Sequence, residues 1–341
     1  MTETLTPRQM LKGLLQGAVR PRPLFLPIVF SLGAKVENVP LRVFLGNATK
    51  ISNSMKQIRG YLRSDGVTCY FDPYLEAEAL GAVLQWQAED QLPLIQWPQH
   101  AEKGELPEGL RSPEDAAKSG RVNVAVEAIR RLKSLLRDEP LLISGVTGPF
   151  TLAACLSGLQ RRDSPSREDF SESALELAAA TITQIASKFV EAGANVIFIQ
   201  ESVLSRLSAE QCQGWASSLA PAINIVRFYG ALPVLHISNS RSFAENKQII
   251  YEQNWDCVIC PALGSFESGT TEIVLPAASA KVGIALPVEL LQPQLPNAET
   301  VFQNLRATIR KLHPAIVTTA SDVPAGTDIK LLAKVWEAVQ F

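Results

Sequence analysis

Eight short apolar runs rich in β-forming residues, separated by longer stretches of helical period, limit what this chain can fold into. The runs are LFLPIVF (24–30), VTCYF (67–71), LLISGV (141–146), NVIFI (195–199), PVLHI (233–237), DCVIC (256–260), KVGIAL (281–286) and AIVTT (315–319). Each is continuously apolar rather than alternating, as expected of parallel strands covered on both faces. SALELAAATITQIASKFVEAG (173–193) is the clearest helix: Ser173 and Glu176 read as a capping box and Gly193 as a left-handed C-cap. Segments 209–229, 298–312 and 327–339 carry the same period. Eight strands with intervening helices predict a (β/α)8 barrel forming a single domain over residues 1–341. A doubly wound open sheet is the rival, but no glycine-rich phosphate loop follows the first strand.

Residues 88–122 break the pattern, being polar, aperiodic and proline-containing. In a barrel they form a long loop on the face where chemistry occurs; an unstructured surface insertion is the other reading. A net charge of −2 advertises neither nucleic-acid nor anionic-membrane binding. No apolar run reaches the roughly 20 residues of a membrane span, and the N-terminus lacks the pattern of a signal peptide. Five cysteines, an odd number, in a chain of 341 residues point to free thiols and a cytoplasmic setting.

Barrel chemistry sits at the C-terminal strand ends. Polar groups gather there: Asp72, Thr147, Gly148, Glu201, Ser202, His236, Ser238, Asn239, Ser321 and Asp322. Asp72, Glu201, Asp322 and His236 are expected to share one rim, the carboxylates raising one another's pKa values into a range suited to proton transfer. Plainer readings stand beside these: Asp72 as a turn or N-cap residue before Pro73, Glu201 as a cap, Asp322 as an Asx-turn before Pro324, and His236 as a structural histidine. The pair Cys257 and Cys260 mimics a metal or redox motif. On a strand, positions three apart face opposite ways, so core packing is the expectation. His100 and His313 are given no role.

GVTGPFTLAACLSG (145–158), EAGANVIFIQES (191–202), LPVLHISNS (232–240), GIALPVELL (283–291) and TTASDVPAGTDIKLLAKV (318–335) together resemble the uroporphyrinogen decarboxylase superfamily, which includes corrinoid:coenzyme M methyltransferases. The resemblance spans roughly residues 5–340 and implies a (β/α)8 TIM barrel of the UROD/MetE-like type. Methyltransferase members hold a thiol-activating zinc with His-x-Cys and a later Cys; the matching positions here are His236, Ser238 and Ser321. Serine is a poor zinc ligand, so no tightly bound zinc or other cofactor is expected unless Glu201 or Asp322 substitutes. Decarboxylase members grip substrate carboxylates with arginines whose positions fall on Phe30 and Ala34, leaving Lys35 as the nearby cation, whereas their aspartate matches Asp72.

The resemblance therefore implies an enzyme, most simply a corrinoid-linked methyltransferase lacking the cysteine zinc ligands. The alternatives are a porphyrinogen decarboxylase-like lyase and a non-catalytic tetrapyrrole- or corrinoid-binding protein. Asp72, His236 and Glu201 are the expected catalytic set, with Asp72 and His236 as acid and base and Glu201 orienting the imidazole. Thr147, Gly148, Phe150, Ser202, Ser238, Asn239, Ser321 and Asp322 are the expected substrate contacts. The expected partners are a small-molecule, tetrapyrrole or corrinoid substrate and a corrinoid-binding protein docked over the strand ends. The chain itself is expected to be a monomer or homodimer.

Overall fold

The first strand is Leu24–Phe25 rather than the predicted 24–30. Leu24 and Leu26 donate to Ala315 O and Val317 O, but the next donor on that side, Ile28 N–H, goes to the Thr319 hydroxyl instead of a ladder carbonyl. The computed structural model describes residues 5–18, 21–96, 105–137, 139–159, 165–262, 282–291 and 298–340.

Eight parallel strands form one sheet: β1 (Leu24–Phe25), β2 (Gly66–Tyr70), β3 (Leu141–Thr147), β4 (Val196–Glu201), β5 (Leu232–Ile237), β6 (Val258–Pro261), β7 (Val282–Leu286) and β8 (Ile316–Thr319). Their spatial order is β1-β8-β7-β6-β5-β4-β3-β2. Every strand from β2 to β8 lies beside its successor in the chain, and the run ends with β8 against β1. A doubly wound sheet would reverse direction midway. The result is a nearly closed (β/α)8 barrel.

Side chains close the seam between β1 and β2. Asp65 donates its N–H to Phe25 O (3.1 Å) and accepts the Phe25 N–H on Oδ2 (2.9 Å). Thr68 Oγ1 accepts from Val29 N–H (3.3 Å) and donates to Pro27 O (3.1 Å). Arg22 pairs with both Asp65 oxygens (2.6 and 2.9 Å) and lies over the Trp336 ring of the last helix.

All eight strands are buried throughout, apart from Gln200 near the end of β4, which explains their unbroken apolar runs. Each interior Val, Leu or Ile contributes about 1.5–3 kcal/mol relative to exposure. The longest helix, Glu172–Ala192, starts two residues earlier than expected: Ser171, not Ser173, is the N-cap, accepting the Ala174 N–H. Gly193 ends it with φ at +118°, as the sequence predicts. The helices Ala209–Phe228, Ala298–Leu312 and Ile329–Val339 follow the predicted segments closely.

The segment predicted as a long loop has structure of its own. Leu94–Gln96, within it, pairs antiparallel with Val83–Gln85 just before it, and Pro113–Ala116 form a short helix capped by Ser112. Arg42 donates its N–H to Glu89 O and stacks over Trp86, tying the hairpin to the helix after β1. His100 lies outside the described residues. Among the described residues no helix is long and apolar enough to cross a membrane.

Candidate functional site

The strand-end carboxylates are each held in a separate cage, not crowded together. Asp72 sits just past β2. Its Oδ1 accepts the Tyr74 N–H (2.9 Å) and its Oδ2 pairs with Arg121, which also reaches Glu78 (2.5 Å). Both a turn role and an ion pair are therefore present, and neither Asp72 oxygen contacts His236.

Glu201 ends β4 and is completely buried. Its carboxylate accepts from Phe150 N–H (3.1 Å), Thr151 N–H (2.9 Å), Thr151 Oγ1 (2.6 Å) and Trp215 Nε1 (3.2 Å). It caps the helix Pro149–Leu156, whose first N–H groups have no partner within the helix. A Cβ at Gly148 would overlap the Glu201 carboxyl, so this turn requires glycine. Burial pushes the Glu201 carboxyl up to about 7, against the pull of its donors.

Glu76, in the helix Leu75–Leu80, plays a similar part for β3. It is fully buried and accepts the N–H and hydroxyl of Thr147 (3.2 and 2.9 Å), where β2 has already ended. Burial likewise pushes its carboxyl up to about 7. The amides expected to hold substrate are thus occupied: Thr147 N–H by Glu76, Gly148 N–H by Gln200 O, and Phe150 and Thr151 N–H by Glu201.

Asp322 closes the loop after β1. It accepts Phe30 N–H (2.7 Å), Ser31 N–H (2.9 Å) and the Ser31 hydroxyl, and burial raises its carboxyl to about 6. The expected Asx-turn toward Pro324 is replaced by this long-range clasp. Asp322 and Ser31 border a cleft of about 760 Å³, together with Lys35, Asp90, Leu92 and Pro324. His236, Asp72 and Glu201 do not line this cleft.

His236 faces the barrel interior. Glu201 points to the helix layer, where Trp215 meets it; alternation turns Gln200 the other way, and Gln200 is the register partner of His236. The imidazole lies 5.8 Å from the Phe198 ring, centroid to centroid, and is fully buried. Neither Nδ1 nor Nε2 has a hydrogen-bond partner among the described residues. Burial lowers its pKa to about 4, so the ring is neutral at pH 7.

The other expected contacts serve local structure. Asn239 caps the helix Ser240–Tyr251 through Arg241 and Ser242 N–H groups. Phe150 packs edge-on against Phe170 in the core. The Ser202 N–H donates to Thr151 Oγ1 and its side chain is exposed. Cys260 meets Tyr251 of the outer helix layer, and all five cysteines are buried and outside any disulfide, in keeping with core packing. Sequence reasoning missed Glu76 and Arg121; the Asp-Pro turn followed by EAEALG was the available signal for the first, and nothing marked the second.

The residues present do not fit a zinc ion. Ser238 Oγ donates to Glu201 O and Ser321 Oγ to Asp322 O (both 3.4 Å). The carboxylates of Glu201 and Asp322 are already filled with donors, and among the described residues no three His, Cys, Asp or Glu side chains converge.

The family described as Uroporphyrinogen decarboxylase (URO-D) matches residues 14–254. The chain belongs to the URO-D family. Within it, a 100-residue stretch is 32% identical to Methylcobamide:CoM methyltransferase MtaA of Methanosarcina barkeri, covering 29% of this chain and 30% of that protein. A 144-residue stretch is 29% identical to the Methylated-thiol–coenzyme M methyltransferase of Methanosarcina mazei, covering 41% and 38%. The matches thus span about a third of the length of these relatives. In structure, this URO-D family member resembles a methyltransferase from Methanosarcina mazei with a TM-score of 0.77 at 17% identity, over 98% of both chains. A B12-independent methionine synthase from Shewanella shares the fold more loosely, with a TM-score of 0.53 at 15% identity over 86% of this chain and 87% of that one.

A buried imidazole with two bare nitrogens costs stability. His236→Leu is expected to raise stability at pH 7 by about 1–2 kcal/mol, read from urea unfolding, because it removes unsatisfied polar atoms. The sign of the pH effect follows from the lowered folded pKa. Between about 4 and 6.5 the unfolded chain binds the proton more tightly, so wild-type stability rises with pH across that window. The leucine variant should lack that increment, and an equal rise in both proteins would contradict the buried, neutral ring.

Proposed function

We propose that this URO-D family member is a methyltransferase, moving a methyl group between a corrinoid brought by a partner protein and a small acceptor at the C-terminal mouth of the barrel. It does so without a thiolate-bound zinc. The observation that carries this reading is the charge of the mouth: among the described residues Lys35 is the one cation lining the 760 Å³ cleft, beside Asp90 and Asp322. A polycarboxylate such as a porphyrinogen would meet too little positive charge there. Asp72, with both oxygens engaged by Tyr74 and Arg121, is also not free to receive pyrrole N–H groups. The sequence relatives, named as methyltransferases, point the same way.

In this reading the acceptor extends beyond the cleft to His236, which does not itself line it. Asp72 and Glu201 act at a distance, holding Arg121 and the 148–151 turn, while Ser238, Ser321 and Asp322 shape the entrance. A neutral imidazole presents one acceptor and one donor, enough to orient a polar group in an otherwise apolar lumen.

The test is to incubate the purified protein with methylcobalamin and 2-mercaptoethanol and follow loss of the methylcobalamin spectrum and formation of the thioether. Transfer is expected, slowed more than tenfold in His236→Ala. Conversion of uroporphyrinogen to coproporphyrinogen in a parallel incubation would overturn the reading in favour of a lyase. Tight corrinoid binding without turnover would overturn it in favour of a binding protein.

A further inference from the structure

We propose that a hollow of about 130 Å³ in the outer helix layer is an effector site for a small, uncharged aromatic molecule carrying a hydroxyl group. It lies where the helices Pro149–Leu156, Glu172–Ala192 and Ala209–Phe228 meet, and it shares no residue with the cleft at the barrel mouth.

The walls are defined by what their polar atoms already do. Phe150 and Trp215 line the hollow, and both send N–H groups to Glu201: the Phe150 main chain at 3.1 Å and the Trp215 indole at 3.2 Å. What they leave to a ligand is aromatic carbon, with Leu175 beside it. Among the described residues Arg167 is the one cation of the lining, and Glu172 balances it: Nη2 donates to the Glu172 carboxylate (2.5 Å) and Nη1 to Phe170 O (3.1 Å). A charged ligand would exchange its hydration for apolar walls and an ion pair that is already closed. Ser218 Oγ donates to Trp215 O (2.8 Å) and keeps lone pairs for a ligand hydroxyl. An apolar cavity of about 150 Å³ admits benzene, so the hollow holds a single ring.

Gly214 is the second sign of a ligand. It lines the hollow from inside the helix Ala209–Phe228, where glycine weakens the helix. The fold does not demand it, because a Cβ at this position would meet no atom within 4 Å. The missing side chain keeps the hollow open. Occupancy would reach the strand end through Glu201. A ring seated on Trp215 and Phe150 holds in place two of the donors that clamp the Glu201 carboxylate, which ends β4 and caps the 148–151 turn. Binding therefore stiffens that turn from the side away from the lumen.

The experiment uses the whole chain labelled with ¹⁵N-tryptophan, with phenol as the probe. Five tryptophans give five indole N–H signals. That of Trp215 is assigned by its loss in Trp215→Phe and, independently, by its displacement in Glu201→Gln. Phenol is expected to shift it saturably, with benzoate and benzylammonium at least tenfold weaker. Gly214→Leu is expected to weaken phenol at least tenfold while the urea midpoint stays at or above that of wild type, since leucine is the better helix former. Leu175→Phe, which fills the hollow from another wall, carries the same expectation for phenol. In hydrogen exchange, phenol is expected to slow the Phe150 and Thr151 amides at least threefold. An unmoved Trp215 signal, either filled variant binding phenol within threefold of wild type, or a charged ring binding as tightly as phenol would each overturn the site. Unchanged exchange at Phe150 and Thr151 with phenol bound would overturn its effector role. None of these readouts depends on methyl transfer.

Discussion

Arg121→Ala is expected to destabilise the protein by about 3–5 kcal/mol, among the largest effects of any single substitution here. The Asp72 side chain is inaccessible to solvent and Arg121 is 11% exposed, so the pair cannot be replaced by water when the guanidinium is removed. The cost comes from the stranded carboxylate rather than from the lost attraction, because two charges taken out of water gain little net energy when paired. The double variant Arg121→Met with Asp72→Leu is therefore expected to recover much of the loss. Urea unfolding of the two singles and the double closes the cycle. If the double is no more stable than Arg121→Ala, the Asp72 carboxylate is not the source of the penalty.

Glu201→Leu is expected to cost at least about 3 kcal/mol for a different reason. Here the partners are neutral donors: two backbone N–H groups, one hydroxyl and one indole N–H, all aimed at a single carboxyl. Each buried donor left bare costs about 1–3 kcal/mol, less what the turn regains by shifting. Glu201→Gln keeps one carbonyl oxygen and should lose about 1–2 kcal/mol. The pH dependence has a definite sign. Because burial raises the folded pKa to about 7, the folded state holds the proton more tightly between about 4.5 and 7. The stability of wild type relative to Glu201→Gln should therefore decline as pH climbs through that window. A relative stability that rises instead would mean that the four donors outweigh burial.

The strands, their order and the long helices were readable because each depends on local pattern: continuous apolar runs, a C-cap glycine, a period of 3.6. What the strand-end residues do was less readable, since it depends on partners far along the chain. Glu201 lies about 50 residues from the turn it caps, and Asp72 some 49 from Arg121. Arg121 is the second residue of the helix Gly120–Leu136, at the edge of a stretch whose polarity reads as loop. The hairpin that leads into that stretch is legible only through what it leans on, Arg42 and Leu41. His236 was visible at the end of its strand, but its lack of partners is a property of the packed interior. The apolar runs located the strand ends; they did not say that Thr147, Gly148 and Asn239 would be consumed by the scaffold.

Asp65 and Thr68 occupy a different kind of position from residues elsewhere in the sheet. Between β3 and β4, or β4 and β5, main-chain atoms do the pairing, and a changed side chain leaves the neighbours joined. Where β1 meets β2, the joint itself is written in two side chains and one main-chain contact. A point mutation there acts on connectivity, not only on packing. Whether the strip of strands stays a cylinder is thus a heritable trait of two codons.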